Sequence, residues 1–412
     1  MKKIFILTGL LAGIAVLGFS QTAWTVNNAA GWIDAVNGIR SSGNNKEYTI
    51  TVNGTVSVPS RAENTFGSVT GVTITIEGGG TLSPSRDGSL LVIGGEQTIV
   101  ARDVTLRGRD ANNAEVVFIS DGGAFRMEGN ARVTGNTSSG SSYGGGVYVN
   151  GGTFTMQNNA SVTGNTGNFG GGVYVSNSGT FAMRDSASGL GNTARHSGGG
   201  VYVSYSGAFT MQNSASVSGN ASPGGSGGGV YVSDSGTFTM RDSASVSGNT
   251  ARYNGGGVCI DSGGAFNKTG GTIYGENAEQ NLKNTVISRL GHAVYDFKNK
   301  GWRNATAGTA MNSNSNGFWL NDGNVVTFNS GLTGLWKKSN FNNNLYITEN
   351  TMQSINDYYW ILQLVSGNVY TLKRSDTANT MTLTINLEGN NLVISGDSGA
   401  GQDNWNGTWQ KQ

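Results

Sequence analysis

The stretch that decides the fold reads Gly227-Gly-Gly-Val-Tyr-Val-Ser-Asp-Ser-Gly-Thr-Phe-Thr-Met-Arg-Asp-Ser-Ala-Ser-Val-Ser-Gly-Asn249. It is one copy of a unit written about six times between Gly122 and Asn277, with a period of about 28 residues. Its anchors recur in register. Val147, Val173, Val201, Val230 and Val258 follow the glycines, and Phe125, Phe154, Phe181, Phe209, Phe238 and Phe266 occupy the second apolar segment. Such a period marks a stacked architecture in which each unit contacts chiefly its neighbours.

Each copy holds three short segments of period 2, too brief for ordinary helices. Val-Tyr-Val puts both valines on one face, Phe-Thr-Met pairs Phe with Met, and Ala-Ser-Val pairs Ala with Val. Three strands with one apolar face each close into a triangular coil, and successive coils stack as parallel strands about 4.8 Å apart. The expected fold is all-β, a right-handed parallel β-helix. The 67 glycines suit tight corners that need positive φ, and three prolines in the whole chain suit unbroken ladders. Asn136, Asn165, Asn192, Asn220 and Asn249 share one place in the unit, so stacking brings their amides into a hydrogen-bonded column that holds a turn.

The paired elements Val246-Ser-Gly-Asn249 and Gly255-Gly-Gly-Val258 resemble the FxxN and GGA[ILV] elements of polymorphic outer-membrane protein repeats, and similar glycine-rich repeats occur in spirochaete surface proteins. Valine stands where that family has phenylalanine, Gly189 replaces it in one copy, and a third glycine replaces alanine. The resemblance implies a bacterial cell-surface or outer-membrane-associated adhesin-like β-helix. Lys411-Gln412 ends the chain without the terminal aromatic strand of an outer-membrane barrel, so transport by the chain itself is not expected.

Met1-Lys-Lys, the apolar run from Ile4 to Leu17 and Gly18-Phe-Ser20 read as a secretory signal peptide over residues 1–20. No other apolar run approaches the length of about 20 residues that spans a bilayer, so no transmembrane segment is expected in the mature chain. Export places the protein at the outer surface, outside the cell or in the periplasm. The single cysteine, Cys259, fills the tyrosine slot of its repeat and has no internal partner for a disulfide. Lysine plus arginine (26) nearly cancels aspartate plus glutamate (25), which leaves no basic field for nucleic acid.

The β-helix is expected to occupy 21–317. A helix over 28–39, with Trp32, Val36 and Ile39 on one face and Asn28 as N-cap, would cover its first coil. Tyr48–Val52, Thr55–Val58, Val72–Ile76, Leu90–Ile93, Val104–Leu106 and Val116–Ile119 read as strands of early, irregular coils. Beyond Glu276 the repeat decays; Leu282, Val286 and Leu290 are spaced for a helical turn, and Gly291-His-Ala-Val-Tyr295 revives the pattern for a closing coil. A second domain is expected over 318–412, an antiparallel meander in which Gly334-Leu-Trp336 and Gly407-Thr-Trp409 belong to strands that meet and close a small barrel. Gly334-Leu-Trp336 is similar to the Gly-x-Trp of lipocalin-like domains, which implies either plugging tryptophans or a small apolar ligand.

Two sets of residues compete for function. Asp103 and Arg107 share a strand face in the early coils, which resemble pectate-lyase-like β-helices in fold pattern; for a polysaccharide lyase or glycoside hydrolase that resemblance implies an acidic metal ligand and a basic catalytic arginine. Proton abstraction there often needs a calcium held by several carboxylates, and no second acidic cluster accompanies them. Arg184-Asp185 and Arg241-Asp242 alternate with Gln157-Asn158 and Gln212-Asn213, a spacing that keeps like charges two coils apart. His196 and His292 lie in different repeats, so neither a metal site nor a cofactor is expected. Tyr148, Tyr174, Tyr202 and Tyr231 stand between inward valines and should line an exposed aromatic column, either for a polysaccharide or cell-surface glycoprotein or simply to stack on one another. The leading expectation is a secreted, non-catalytic scaffold that is adhesin-like or glycan-binding.

Overall fold

In the computed structural model the described residues are 22–297, apart from 61–63, 140–142, 262, 277 and 289–290, and beyond 300 chiefly the backbone of strands. The signal-peptide reading of 1–20 lies outside them. The chain forms a parallel β-helix of the right-handed type with about nine turns and a single helix among the described residues.

One repeat coil shows how the sequence builds it. Val173–Ser176, Thr180–Met183 and Ser188–Leu190 form three sides, and the two-residue strand Thr193–Ala194 returns the chain to the next glycine triplet. Each strand pairs in parallel with its equivalents one coil away, without slippage: Val147 with Val173, Phe154 with Phe181, Ser161 with Ser188. The alternation places the valines, the Phe and the Met inside, where they are buried. Phe125, Phe154, Phe181, Phe209, Phe238 and Phe266 stack as a ring column through the core, at centroid separations from 4.7 to 5.3 Å.

The triplet has steric causes that differ from glycine to glycine. Gly170 has φ +60°, which L side chains rarely adopt, whereas a side chain on Gly171 would collide with the backbone of Thr193 and Gly199. The asparagine column forms and is longer than the repeat: the Asn112 amide donates to Asn136 (2.9 Å), and Asn249 donates to Asn284 (2.8 Å). Between them Asn165, Asn192 and Asn220 each donate to the next side-chain carbonyl at 2.9–3.1 Å, all of them buried.

Helix α1 (Ala29–Ser42) begins at Asn28, whose side chain accepts from the Gly31 N–H at 3.0 Å, and buries Trp32, Ala35, Val36 and Ile39. It runs three residues beyond the expected end, to Gly43 at φ +87°, and packs on the strands Ala23–Val26 and Thr55–Val58 at the first coil. The expected early strands are present, joined by Thr81–Pro84 and Gln97–Arg102, which the alternation did not single out. One expectation is corrected: Val286 lies in the strand Thr285–Val286, paired with Thr250–Ala251, and not in a helical turn. The closing coil stands, with Val294–Asp296 paired to Val258–Ile260.

Antiparallel strands follow. Gly301–Arg303 pairs with Val294–Asp296, and Met311–Asn314 with Ala265–Lys268. Further along, the backbones of eight strands from Gly334–Lys337 to Gly407–Lys411 pair in sequence order, and the first meets the last with Trp336 opposite Lys411. The expected strand at Val325–Phe328 lies outside the described residues.

Candidate functional site

The sheet that carries the Val-Tyr-Val strands sets the geometry of the aromatic face. Phe118, Tyr148, Tyr174, Tyr202, Tyr231, Cys259 and Tyr295 are register partners on successive coils and form one outward column. Tyr174 and Tyr202 stack at 5.1 Å and 29°, and Tyr202 and Tyr231 at 4.9 Å and 26°. Tyr148 meets Tyr174 edge to face at 5.1 Å. Each hydroxyl reaches one coil onward: Tyr174 to Ser204 (2.9 Å), Tyr202 to Ser233 (3.3 Å), and Tyr231 donates to Asp261.

The column expected from the sequence is therefore real, but it is not an open surface. Tyr174 is 3% exposed, and the stacking uses up the ring faces that a sugar would need. Burial pushes the Tyr202 phenol up to about 12 and raises those of Tyr148, Tyr174 and Tyr231; for Tyr231 the hydrogen bond to Asp261 adds to the effect. Cys259 is buried among Tyr231 and Tyr295, and burial raises its thiol well above the usual range, so it is an inert filler of the slot.

What covers the tyrosines is a second aromatic row, contributed by the residues just before each glycine triplet. Tyr143 stacks on Phe169 at 6.2 Å, and Phe169 on His196 at 5.0 Å. Tyr143 also lies over Tyr174 (5.1 Å, 27°), and Phe169 meets Tyr202 edge to face (5.3 Å). This row faces solvent: Tyr143 is 46% exposed and His196 is exposed. Arg195 fastens it, because its guanidinium donates to the Ser138 carbonyl and to Asn168.

On the other side of the column stands Tyr205, 59% exposed and without a ring partner among the described contacts. It occupies the first place of a turn in which two successive residues have positive φ. Equivalent turns use Asn177-Ser178 (52°, 61°) and Asp234-Ser235 (46°, 63°), whereas this one uses Tyr205-Ser206 (45°, 61°). Asn and Asp tolerate that backbone; a bulky aromatic there is strained. An aromatic before the glycines, or in an Asn/Asp turn position, was the sequence signal for this fringe.

Asp103 has a structural employment. At φ 51° it is the first member of a turn column continued by Gly129, Asn158, Asp185, Asn213 and Asp242, all with positive φ. Its carboxylate accepts from the Asn130 backbone N–H (2.8 Å) and side chain (3.1 Å). Alternation of Asp with Asn lets each acceptor-only carboxylate meet donors: Asp185 receives the Asn158 N–H (3.0 Å) and the Asn213 amide (3.1 Å). Arg107 instead lines a shallow groove with Thr55, Thr81, Thr105, Thr134 and Gly135, to which Asp103 does not contribute. The two expected residues thus hold different places, Asp103 in the turn column and Arg107 along the groove.

Among the described residues no group of three or more His, Cys, Asp or Glu could hold a metal, and no helix is long and apolar enough to cross a membrane. Comparison with known protein families, with curated proteins and with solved structures finds no match. The class defined by the fold is the parallel β-helix built from a repeat.

Proposed function

We propose that this protein is an exported, cell-surface-associated β-helix scaffold without catalytic activity, adhesin-like in role, that binds a polysaccharide or a cell-surface glycoprotein through its aromatic fringe. The reading joins the signal-peptide pattern of Met1–Ser20, the likeness of the repeat to polymorphic outer-membrane protein and spirochaete surface repeats, and a neutral Gly/Ser/Asn-rich surface. Residues 318–412 would add a lipocalin-like barrel as a second module. The observation that carries the reading is Tyr205, an exposed, unstacked ring kept on a backbone that disfavours it, with the row Tyr143–Phe169–His196, exposed at Tyr143 and His196, on the opposite flank of the tyrosine column. Strain that persists at an exposed aromatic is typical of a contact residue.

The competing class, a polysaccharide lyase or glycoside hydrolase acting through Asp103 and Arg107, is disfavoured because the Asp103 carboxylate is occupied in a turn. A glycan array read with the purified protein tests the proposal. Binding that is lost in a Tyr143→Ser/Tyr205→Ser double variant of unchanged circular dichroism supports it. Binding that survives that change, or new reducing or unsaturated ends in a polysaccharide panel that vanish with Asp103→Ala, overturns it.

A further inference from the structure

The sheet built from Thr55–Val58, Thr81–Pro84, Thr105–Arg107, Arg132–Thr134 and the Ala-Ser-Val strands of the repeat has a different outer face. Its side chains fall into two files. One runs from Thr55 through Arg132 to Thr272, and the other from Arg107 through Leu190 to Ser247. Along these two files every side chain is a hydroxyl except one leucine and two arginines, and no carboxylate occurs in either. The arginines are neighbours: Thr105 pairs with Arg132 and Arg107 with Thr134, so the two guanidiniums lie diagonally across adjacent strands.

Neither arginine has an ion-pair or hydrogen-bond partner for its guanidinium among the described residues. Other arginines of the early coils do: Arg102 sits between Glu77 (3.2 Å) and Glu128 (3.1 Å), and Arg109 faces Asp87 (3.5 Å). The stem of Arg107 lies beside Gly135 of the next coil, a glycine at φ +67°, and both line the groove. Two carboxylates of the same early coils are engaged elsewhere, Asp103 by Asn130 and Asp87 by Arg109.

We infer that this face is a binding site for an acidic polysaccharide, with Arg107 and Arg132 holding a carboxylate or sulfate group and the flanking threonine and serine hydroxyls meeting sugar hydroxyls. Two like charges on adjacent strands repel until an anion bridges them, and guanidinium is the side chain suited to bidentate carboxylate or sulfate. A ladder of hydroxyls that donate and accept at each coil matches a polymer whose own hydroxyls repeat along its length. Nucleic acid fits less well, because the face offers two cations and no aromatic ring for a base, and the chain has a net charge of +1. The site is on a different sheet from the aromatic fringe and does not depend on it.

The test uses labelled oligogalacturonate and chondroitin sulfate oligosaccharides as the uronate and sulfate arms, with neutral dextran and duplex DNA beside them, read by fluorescence anisotropy. Saturable binding in at least one acidic arm, weakened by salt and reduced at least tenfold in Arg107→Ala/Arg132→Ala, is expected, with Tyr205→Ser leaving it unchanged. Both arginines are exposed, so their loss leaves the thermal midpoint in place. Equal binding by the double arginine variant, equal binding of dextran, binding of DNA as tight as that of the acidic sugars, or loss only in the Tyr205 variant overturns the inference.

Discussion

Two aromatic columns run along the same solenoid, one inside and one outside, and they differ in tilt more than in spacing. The inner phenylalanines lie 4.7–5.3 Å apart with interplanar angles of 7–13°. The outer tyrosines lie 4.9–5.1 Å apart, but tilt by 26–29° and turn edge to face at Tyr148–Tyr174 (67°). Strand spacing fixes the separation in both, because identical positions on paired parallel strands cannot be further apart than the ladder allows. Enclosure fixes the tilt only inside, where neighbouring core side chains leave a ring one orientation. The outer column packs as closely as the inner one, so facing outward on a strand is not the same as facing solvent.

The first way to break this comparison is to remove an inner ring. Phe209→Ala should cost about 3–5 kcal/mol, because it leaves a cavity between Phe181 and Phe238. Denaturant unfolding gives the size, and limited proteolysis should show cleavage concentrated in the coils beside position 209. An unchanged midpoint would mean that the core tolerates a gap in the column. Next in size is the asparagine column. Asn220 Oδ1 accepts both the backbone N–H (2.8 Å) and the amide (3.1 Å) of Asn192, so Asn220→Ala strands two buried donors and should cost on the order of 1–3 kcal/mol for each. Asn220→Asp restores the acceptor for Asn192 but turns a buried carboxylate toward the Gly189 carbonyl and Asn249 Oδ1, which the parent amide meets as a donor (3.0 and 2.9 Å), and should cost at least as much as the alanine variant at neutral pH.

The outer column is tested by alkali. A phenol whose folded pKa is raised keeps its proton in the native state while the unfolded chain releases it, so the stability it lends is present below about pH 10 and falls as pH rises through that value. Tyr202, pushed up to about 12, and Tyr148, Tyr174 and Tyr231, raised in the same direction, should make the β-helix lose stability progressively above pH 10. Absorbance at the tyrosinate band should lag behind that of the unfolded protein over that interval. Coincident titration of the two states would mean that the column is wetted. Replacing Tyr174, Tyr202 and Tyr231 together with serine should also lower the melting temperature, the opposite of what a free recognition surface would do.

The coil, its register and its inner face were legible because period-2 alternation and a fixed repeat are properties of the chain itself. Burial on the outer face was not, since it depends on Tyr143 and Phe169, which approach Tyr174 and Tyr202 across coils and not along a strand. The early strand Gln97–Arg102 was hidden because Ile99-Val100-Ala101 is apolar throughout, with even the outward Val100 buried. Leu282, Val286 and Leu290 carried a helical spacing that lost to the pull of the stack, where Asn284 completes the asparagine column. Asp103 and Arg107 share a strand face by parity, but a turn at positive φ takes the one away while the groove keeps the other.

The smallest effect is the most informative about function. Tyr205 stands at φ 45°, where the coil before it has Asn177 at 52° and the coil after it Asp234 at 46°. A left-handed backbone costs a residue with a bulky side chain about 1 kcal/mol or more, and Asn, whose short side chain bonds locally, carries less of that cost. Tyr205→Asn should therefore raise stability by about 1 kcal/mol, as measured by denaturant unfolding, since the ring it removes is 59% exposed and has no ring partner among the described contacts. The same variant should bind the glycan-array ligands more weakly. A gain in stability together with a loss of binding is the signature of a residue kept for contact at the expense of the fold. A loss of stability instead would show that the ring packs on the turn, and Tyr205 would then belong with the column it flanks.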